Sequence, residues 1–244
     1  MLKNLIRRGL RSAGLDVRWY RGHPPHSLEA LLALYGVETV FDIGANAGMS
    51  GRYLRNLGFR GTIVSFEPVL RYYRELERAS ANDSRWLCEN VAVGDAEGEL
   101  EINVSGAGGA SSSFLEITPE ATMHVPELAT VGRERVRIRT VDALARDHYP
   151  RGDRLFLKLH VQGYERNVLE GARETLDRIV GLRIELSLLK CYQSEPLLCD
   201  MLPYLQSLGF SLAGIEPAWS DPRTQEVFQL DGMFVRTDRL IQKP

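Results

Sequence analysis

The stretch Val37 to Gly51 constrains the fold of this 244-residue chain more than any other. Val37 to Ile43 is a short, β-branched run, too brief for a helix and apolar enough to be a buried strand. It ends in Gly44-Ala45-Asn46-Ala47-Gly48, two glycines four residues apart, and a helical pattern begins at once with Met49, Tyr53, Leu54 and Leu57 over residues 48–57. Strand, glycine turn and helix in that order open a βαβ unit, and such units build parallel sheets covered on both faces.

The alternation continues along the chain. Thr62 to Phe66 reads as a second strand, Leu70 to Ala79 as a second helix and residues 86–94 as a third strand. Gly94-Asp95 and Gly98 then supply turn chemistry before Glu99 to Val104, whose strict alternation suggests a hairpin or meander inserted into the parallel plan. Ser105 to Ser113 is the least structured segment, either an idle loop or a mobile wall over a ligand pocket. Val136 to Val141 should be a partly exposed strand and Leu155 to Val161 a buried one, followed by a helix from Tyr164 to Leu176. Leu182 to Leu188 is a further strand, and a helix over residues 196–207 should stop at Gly209, a residue suited to a left-handed cap. Phe210 to Ile215 and Gly232 to Val235 are the last strands, separated by polar, proline-containing sequence. The expected architecture is α/β: a doubly wound, mostly parallel sheet with helices on both faces, an inserted hairpin and an antiparallel C-terminal strand. Residues 36–240 form its one domain, and residues 1–35 a helical extension.

Composition is consistent with that plan. Apolar residues make up 44% and charged residues 25%, enough to fill a core without a segment that spans a bilayer. The net charge of -2 gives no sign of a nucleic-acid partner. Cys88, Cys191 and Cys199 form neither a pair nor a framework and fit reduced thiols in the cytoplasm. Lys3, Arg7, Arg8 and Arg11 alternate with Leu2, Leu5, Ile6 and Leu10. This short amphipathic stripe is read as a helix packed on the domain, with peripheral contact to an anionic membrane as the other reading.

The glycine turn is not a dinucleotide fingerprint, because Asn46 and Met49 stand where GxGxxG needs its later glycines. It is not a phosphate loop either, since no Gly-Lys-Ser/Thr follows. Asp42 at the end of the strand is an anion, a poor neighbour for pyrophosphate but a good one for a cationic or amine-bearing ligand. The sulfonium and amino group of S-adenosylmethionine meet that description. Twenty-five residues on, Phe66-Glu67-Pro68 places a carboxylate at the end of the second strand, where it could accept both ribose hydroxyls. Open parallel sheets bind ligands outside the carboxyl ends of their strands, which nominates Asn90, Asp95, His160 and Glu185 as further candidates. His160 could act as a base near its ordinary pKa, could hold a divalent ion with Glu185 or His124, or could be structural.

The ordered set Phe41-Asp42-Ile43-Gly44-Ala45-Asn46-Ala47-Gly48, Phe66-Glu67-Pro68, Asn90-Val91-Ala92-Val93-Gly94-Asp95, Thr140-Val141-Asp142-Ala143-Leu144, Gly163-Tyr164-Glu165, Val168-Leu169-Glu170-Gly171-Ala172 and Ile184-Glu185-Leu186-Ser187 resembles the FkbM family of S-adenosylmethionine-dependent methyltransferases. The resemblance covers about residues 36–236. It implies a class I, Rossmann-like methyltransferase fold and methylation of a hydroxyl on a natural product, sugar or related small molecule. It further implies a methionine-binding turn at Asp42, Gly44, Asn46 and Gly48, a ribose-binding carboxylate at Glu67, and an adenine neighbour in Asn90 to Asp95. One departure is evident. The family usually reads Lys-Ile-Asp-Val-Glu-Gly where this chain has Lys158-Leu159-His160-Val161-Gln162-Gly163, so two carboxylates have become an imidazole and an amide. The change weakens the case for Mg²⁺, which favours oxygen ligands, and strengthens a metal-free His160 base.

Two other readings remain open: a cofactor-binding relative with weak or no turnover, motivated by His160 and Gln162, and a nicotinamide-dependent oxidoreductase, opposed by the missing glycines. Tyr192, Tyr204 and Trp219 are candidates for an apolar acceptor pocket, or equally for core or homo-oligomer contacts.

Overall fold

The computed structural model describes residues 27–106, 108–221 and 224–239. In chain order the elements are α1 (Leu28–Leu34), β1 (Thr39–Ile43), α2 (Met49–Asn56), β2 (Thr62–Phe66), α3 (Leu70–Ser80), β3 (Trp86–Glu89), β4 (Ala92–Gly94) and β5 (Gly98–Ser105). They continue with α4 (Pro119–His124), β6 (Thr130–Thr140), α5 (Val141–His148), β7 (Leu155–Leu159), α6 (Glu165–Glu170), β8 (Ile179–Ser187), α7 (Leu198–Ser207), β9 (Ser211–Ser220) and β10 (Val227–Val235).

The main sheet has the order β3-β2-β1-β7-β8-β10-β9. Its first five strands are parallel, and β10 runs antiparallel to both β8 and β9. This is the doubly wound, mostly parallel sheet with an antiparallel finish that the sequence pattern implied. Alternate residues of each strand face opposite layers. On β1, Val40 joins one core cluster with Leu28, Leu54 and Leu76 from α1, α2 and α3. Phe41 and Ile43 join the other, with Leu144, Leu169 and Leu205 from α5, α6 and α7. Each such leucine removed from water contributes roughly 1.5–3 kcal/mol. Strand order reverses between β1 and β7, so a crevice opens at the carboxyl ends of the central strands.

Several elements differ from the sequence reading. Residues 86–94 are two strands in different sheets. Asn90 breaks the run, its Nδ2 donating to the carbonyls of Glu67 and Pro68 at 2.9 and 2.8 Å. The inserted strands form a separate three-stranded sheet, β4-β6-β5, in which β5 pairs with β6 rather than with its immediate predecessor. Val141 begins a helix capped by the Thr140 hydroxyl, which accepts from Ala143 N–H at 3.2 Å. The helix expected from Tyr164 to Leu176 ends at Glu170. A Cβ on Gly171 would stand 2.0 Å from the Gly94 carbonyl oxygen, and the Asp142 carboxylate accepts the N–H groups of Glu174 and Thr175 instead. The two late strands are longer than expected and pair as a hairpin.

Leu28, Leu31 and Leu32 of α1 are buried in the same layer as β1. The basic stripe of residues 2–11 lies outside the described residues. Among those described, no helix is long and apolar enough to cross a membrane.

Candidate functional site

At the reversal point lies a cleft enclosing about 530 Å³, part of it open to solvent. Gly44 and Asn46 form one wall, Glu67 and the Val91-Ala92-Val93 segment a second, and His160 the third. The loop from Gly109 to Phe114 closes over it, so the small-residue stretch after β5 does wall the crevice.

The glycine turn owes its shape to packing against the neighbouring strand. Gly44 has φ +73°, and a Cβ there would meet the His160 carbonyl oxygen at 2.0 Å. That contact brings the end of β1 and the end of β7 together, closing a gap that any side chain would hold open. Gly48, φ +81°, faces Leu76 and Trp86 instead, so it serves the packing of α2 rather than the cleft. Asn46 is left-handed too (φ 47°), and its Oδ1 accepts from Ala47 N–H at 2.7 Å.

Asp42 does not reach the cleft. It is fully enclosed, with Oδ2 accepting from the Ser65 hydroxyl at 3.0 Å and Oδ1 lying 3.0 Å from Lys158 Nζ. Ser65 in turn accepts the Trp86 indole N–H at 2.9 Å, and Lys158 donates to the Gly44 carbonyl at 2.8 Å. The anion expected to face the ligand therefore anchors a lysine that braces the turn from below. Lys158 was the signal in the sequence: a lone cation in Leu155-Phe156-Leu157-Lys158-Leu159 requires a partner, and parallel pairing places Asp42 opposite it.

Glu67 does face the cleft while remaining 5% exposed. Its oxygens accept from Asn46 N–H at 2.8 Å and Val69 N–H at 2.9 Å. Burial pushes its carboxyl up to about 7, against the pull of those two N–H groups. Asn90 supports the Glu67-Pro68 turn rather than lining the cleft. Asp95 lies outside it as well, 3.3 Å from the Tyr164 hydroxyl and 3.2 Å from Asn167 Nδ2. The residues between them, Val91 to Val93, supply the apolar wall.

At the third wall His160 Nε2 lies 2.8 Å from Glu185 Oε1. The imidazole is 42% exposed and the carboxylate 5%. Glu185's charge raises the imidazole pKa above its ordinary value, outweighing the opposing effect of burial. Glu185 Oε2 also accepts from Gln162 Nε2 at 2.6 Å and Gln229 Nε2 at 3.2 Å. Three donors therefore converge on one buried anion. In this arrangement an amide at Gln162 gives Glu185 a hydrogen bond where a carboxylate would repel it. The Tyr192 hydroxyl lies 2.7 Å from Gln162 Oε1 and 2.9 Å from the Ser111 carbonyl, and its single proton serves one acceptor at a time. Glu165, buried beside this network, accepts Val161 N–H at 2.9 Å; burial and then the Glu185 charge push its carboxyl up to about 7.

No group of three or more His, Cys, Asp or Glu suited to a metal ion occurs among the described residues. His124, weighed as a partner of His160, packs against Phe228 at 5.7 Å between ring centres. Tyr204 stands under Arg166, 4.8 Å from guanidinium carbon to ring centre, away from the cleft. Gln229 and the Ser113 hydroxyl, which donates to the Gln162 carbonyl at 2.7 Å, escaped the sequence reading because their contacts span distant segments; Glu165, whose contact with Val161 is local, entered it only as part of the Gly163-Tyr164-Glu165 motif.

A family model for the methyltransferase FkbM domain matches residues 42–212. No curated protein matches the chain. Among solved structures, a TehB-like SAM-dependent methyltransferase from Corynebacterium glutamicum is 12% identical with a TM-score of 0.43, over 96% of each chain. An rRNA methylase from Streptococcus thermophilus is 13% identical with a TM-score of 0.45, over 89% of this chain and 99% of that one.

Proposed function

From the chain's membership of the FkbM methyltransferase family, a family of S-adenosylmethionine-dependent enzymes, we propose that it methylates a hydroxyl of a small molecule with His160 as the base. The observation that carries this reading is a single cleft shared by the Gly44 turn, the Glu67 carboxylate and His160.

The residues present fit the methyl donor. Glu67 offers a carboxylate for the ribose hydroxyls, and Val91 to Val93 with Phe114 offer an apolar slot for the adenine. When bound, S-adenosylmethionine would supply an electrophilic methyl group on a sulfonium sulfur. Asp42 and Lys158 act beneath the turn by holding the Gly44 carbonyl.

The chain's own chemistry lies in the pair at the third wall. With Glu185 ionised beside it, Nε2 carries the ring proton, which leaves Nδ1 with a lone pair. An acceptor hydroxyl in the cleft can give its proton to Nδ1, and Glu185 then stabilises the resulting imidazolium. The pairing follows the orienting logic of carboxylate–histidine sites generally. The proposal needs no metal: a neutral imidazole and a donor-saturated carboxylate make a poor site for Mg²⁺. The three unpaired cysteines fit a reducing, cytoplasmic setting.

Mass-spectrometric detection of methyl transfer to a panel of hydroxylated small molecules tests the reading. Transfer by the wild-type chain, reduced roughly 10²–10⁴-fold by His160→Ala, is the expected result. Undiminished transfer by His160→Ala would remove the base. Donor binding without transfer to any acceptor would favour an inactive relative.

A further inference from the structure

Gln162, in the loop after β7, holds a backbone conformation that its residue type does not favour. Its φ is +57°, in the left-handed region where residues other than glycine and asparagine are uncommon, and Gly163 follows at +89°. Such a conformation persists only where surrounding contacts hold it. Here the Ser113 hydroxyl donates to the Gln162 carbonyl at 2.7 Å, and the residue is 5% exposed.

The side-chain amide has one orientation that satisfies its neighbours. Glu185 Oε2 is a carboxylate oxygen and only accepts, so the Gln162 NH₂ group must face it, at 2.6 Å. Oε1 then meets the Tyr192 hydroxyl at 2.7 Å. Burial and the Glu185 charge raise the pKa of that hydroxyl, so it keeps its proton and can donate it. Hydroxyl, amide and carboxylate thus form a chain ending on Oε2, in which each bond polarises the next. Gln229 is the lesser partner: its Nε2 lies 3.2 Å from Oε2 and is shared with the Ser187 hydroxyl at 3.3 Å. Glu185 therefore has one oxygen occupied by amides and the other left for the imidazole.

We propose that Gln162, held by Tyr192, is a positioning residue that keeps His160 usable as a base, by tying down one oxygen of Glu185 and drawing charge from it. This role rests on the methyl-transfer reading above, although the hydrogen bonds do not. Without the amide, the carboxylate's charge falls more fully on the imidazole, which then keeps its own proton to higher pH and cannot take one from an acceptor. The other charges near His160 are already committed. Lys158 on β7 opposes protonation and is paired with Asp42; Asp231 on β10 favours it and is paired with Arg183 at 2.9 Å. Glu165 on α6 faces the same network and accepts the Val161 N–H. Glu185 is the strongest influence, and Gln162 is its nearer amide.

Imidazole ¹⁵N NMR on the full chain, titrated with pH, tests the proposal, with His160 assigned by the signal lost in His160→Ala. Gln162→Met keeps the side-chain length and removes the amide; Tyr192→Phe removes only the hydroxyl. The His160 midpoint should rise by about half a pH unit in Gln162→Met and by less in Tyr192→Phe, a fraction of what a direct hydrogen bond contributes. Should Gln162→Met fail to fold, the direction in Tyr192→Phe decides. Turnover gives a second readout: Gln162→Met should lower it in the wild-type background and leave it unchanged once His160 is alanine. An unmoved or lower midpoint in the folded variant, or an equal loss of turnover with and without His160, would overturn the proposal. A shifted midpoint in a chain whose wild type neither binds S-adenosylhomocysteine nor transfers methyl would instead overturn the methyl-transfer reading.

Discussion

His160 Nε2 and Glu185 Oε1 stand 2.8 Å apart at the carboxyl ends of adjacent parallel strands, the imidazole open to the cleft and the carboxylate buried. That relationship sets a testable pH dependence. Because Glu185 favours the protonated imidazole, the neutral form needed by a base predominates only at a pH above the ordinary histidine value near 6.5. Turnover should rise with pH through a midpoint above 6.5. Glu185→Gln should move the midpoint to lower pH while lowering the plateau. A midpoint unmoved by Glu185→Gln would mean that another group controls the rate.

The buried pair beneath the glycine turn gives a stability prediction. Lys158→Met leaves the Asp42 charge enclosed with only the Ser65 hydroxyl beside it. Breaking a buried pair in this way costs about 3–5 kcal/mol. Adding Asp42→Asn to that variant should recover part of the loss, as a denaturation double-mutant cycle would measure. Additive losses would show that the two side chains act independently.

Gly44→Ala tests the contact between the ends of β1 and β7. Left-handed backbone alone costs an alanine about 1–2 kcal/mol, and the added carbon must also displace the His160 carbonyl. Thermal denaturation should register a loss greater than the backbone term, accompanied by weaker donor binding. A loss within the backbone term would mean that the strands separate easily at this point.

Glu165 should leave a mark on the pH dependence of folding. Its carboxyl titrates at about 7 in the folded chain against an ordinary value of 4.5. From pH 4.5 to about 7 the unfolded chain releases this proton while the folded chain keeps it, so the group's contribution to stability falls as pH rises and levels off above. Glu165→Gln removes the titration and should reduce the decline in Tm across that window. Parallel wild-type and variant profiles would contradict the assignment.

The sequence foretold the β1 turn and the strand-end positions of Glu67 and His160 because each depends on local order: strand, glycine, helix, and a polar residue where a strand stops. It misplaced Asp42 because strand-end position alone does not say whether a side chain points into a crevice or under it. Lys158, on a strand more than a hundred residues away, decided that. Residues 86–94 looked continuous because their apolar content hides the break at Asn90, whose amide is committed to the Glu67-Pro68 turn. Gln162 and Gln229 meet at Glu185, and Tyr192 meets Gln162, only through tertiary packing, so no spacing could have joined them.

Calorimetric titration of S-adenosylhomocysteine into the wild-type chain and into Glu67→Ala tests the donor cleft most directly. Hydrogen bonds to a charged group contribute about 1.5–3 kcal/mol each, so the wild type should bind and the variant should lose at least roughly tenfold in affinity. Equal affinity in the two proteins, or no binding by the folded wild type, would contradict the account.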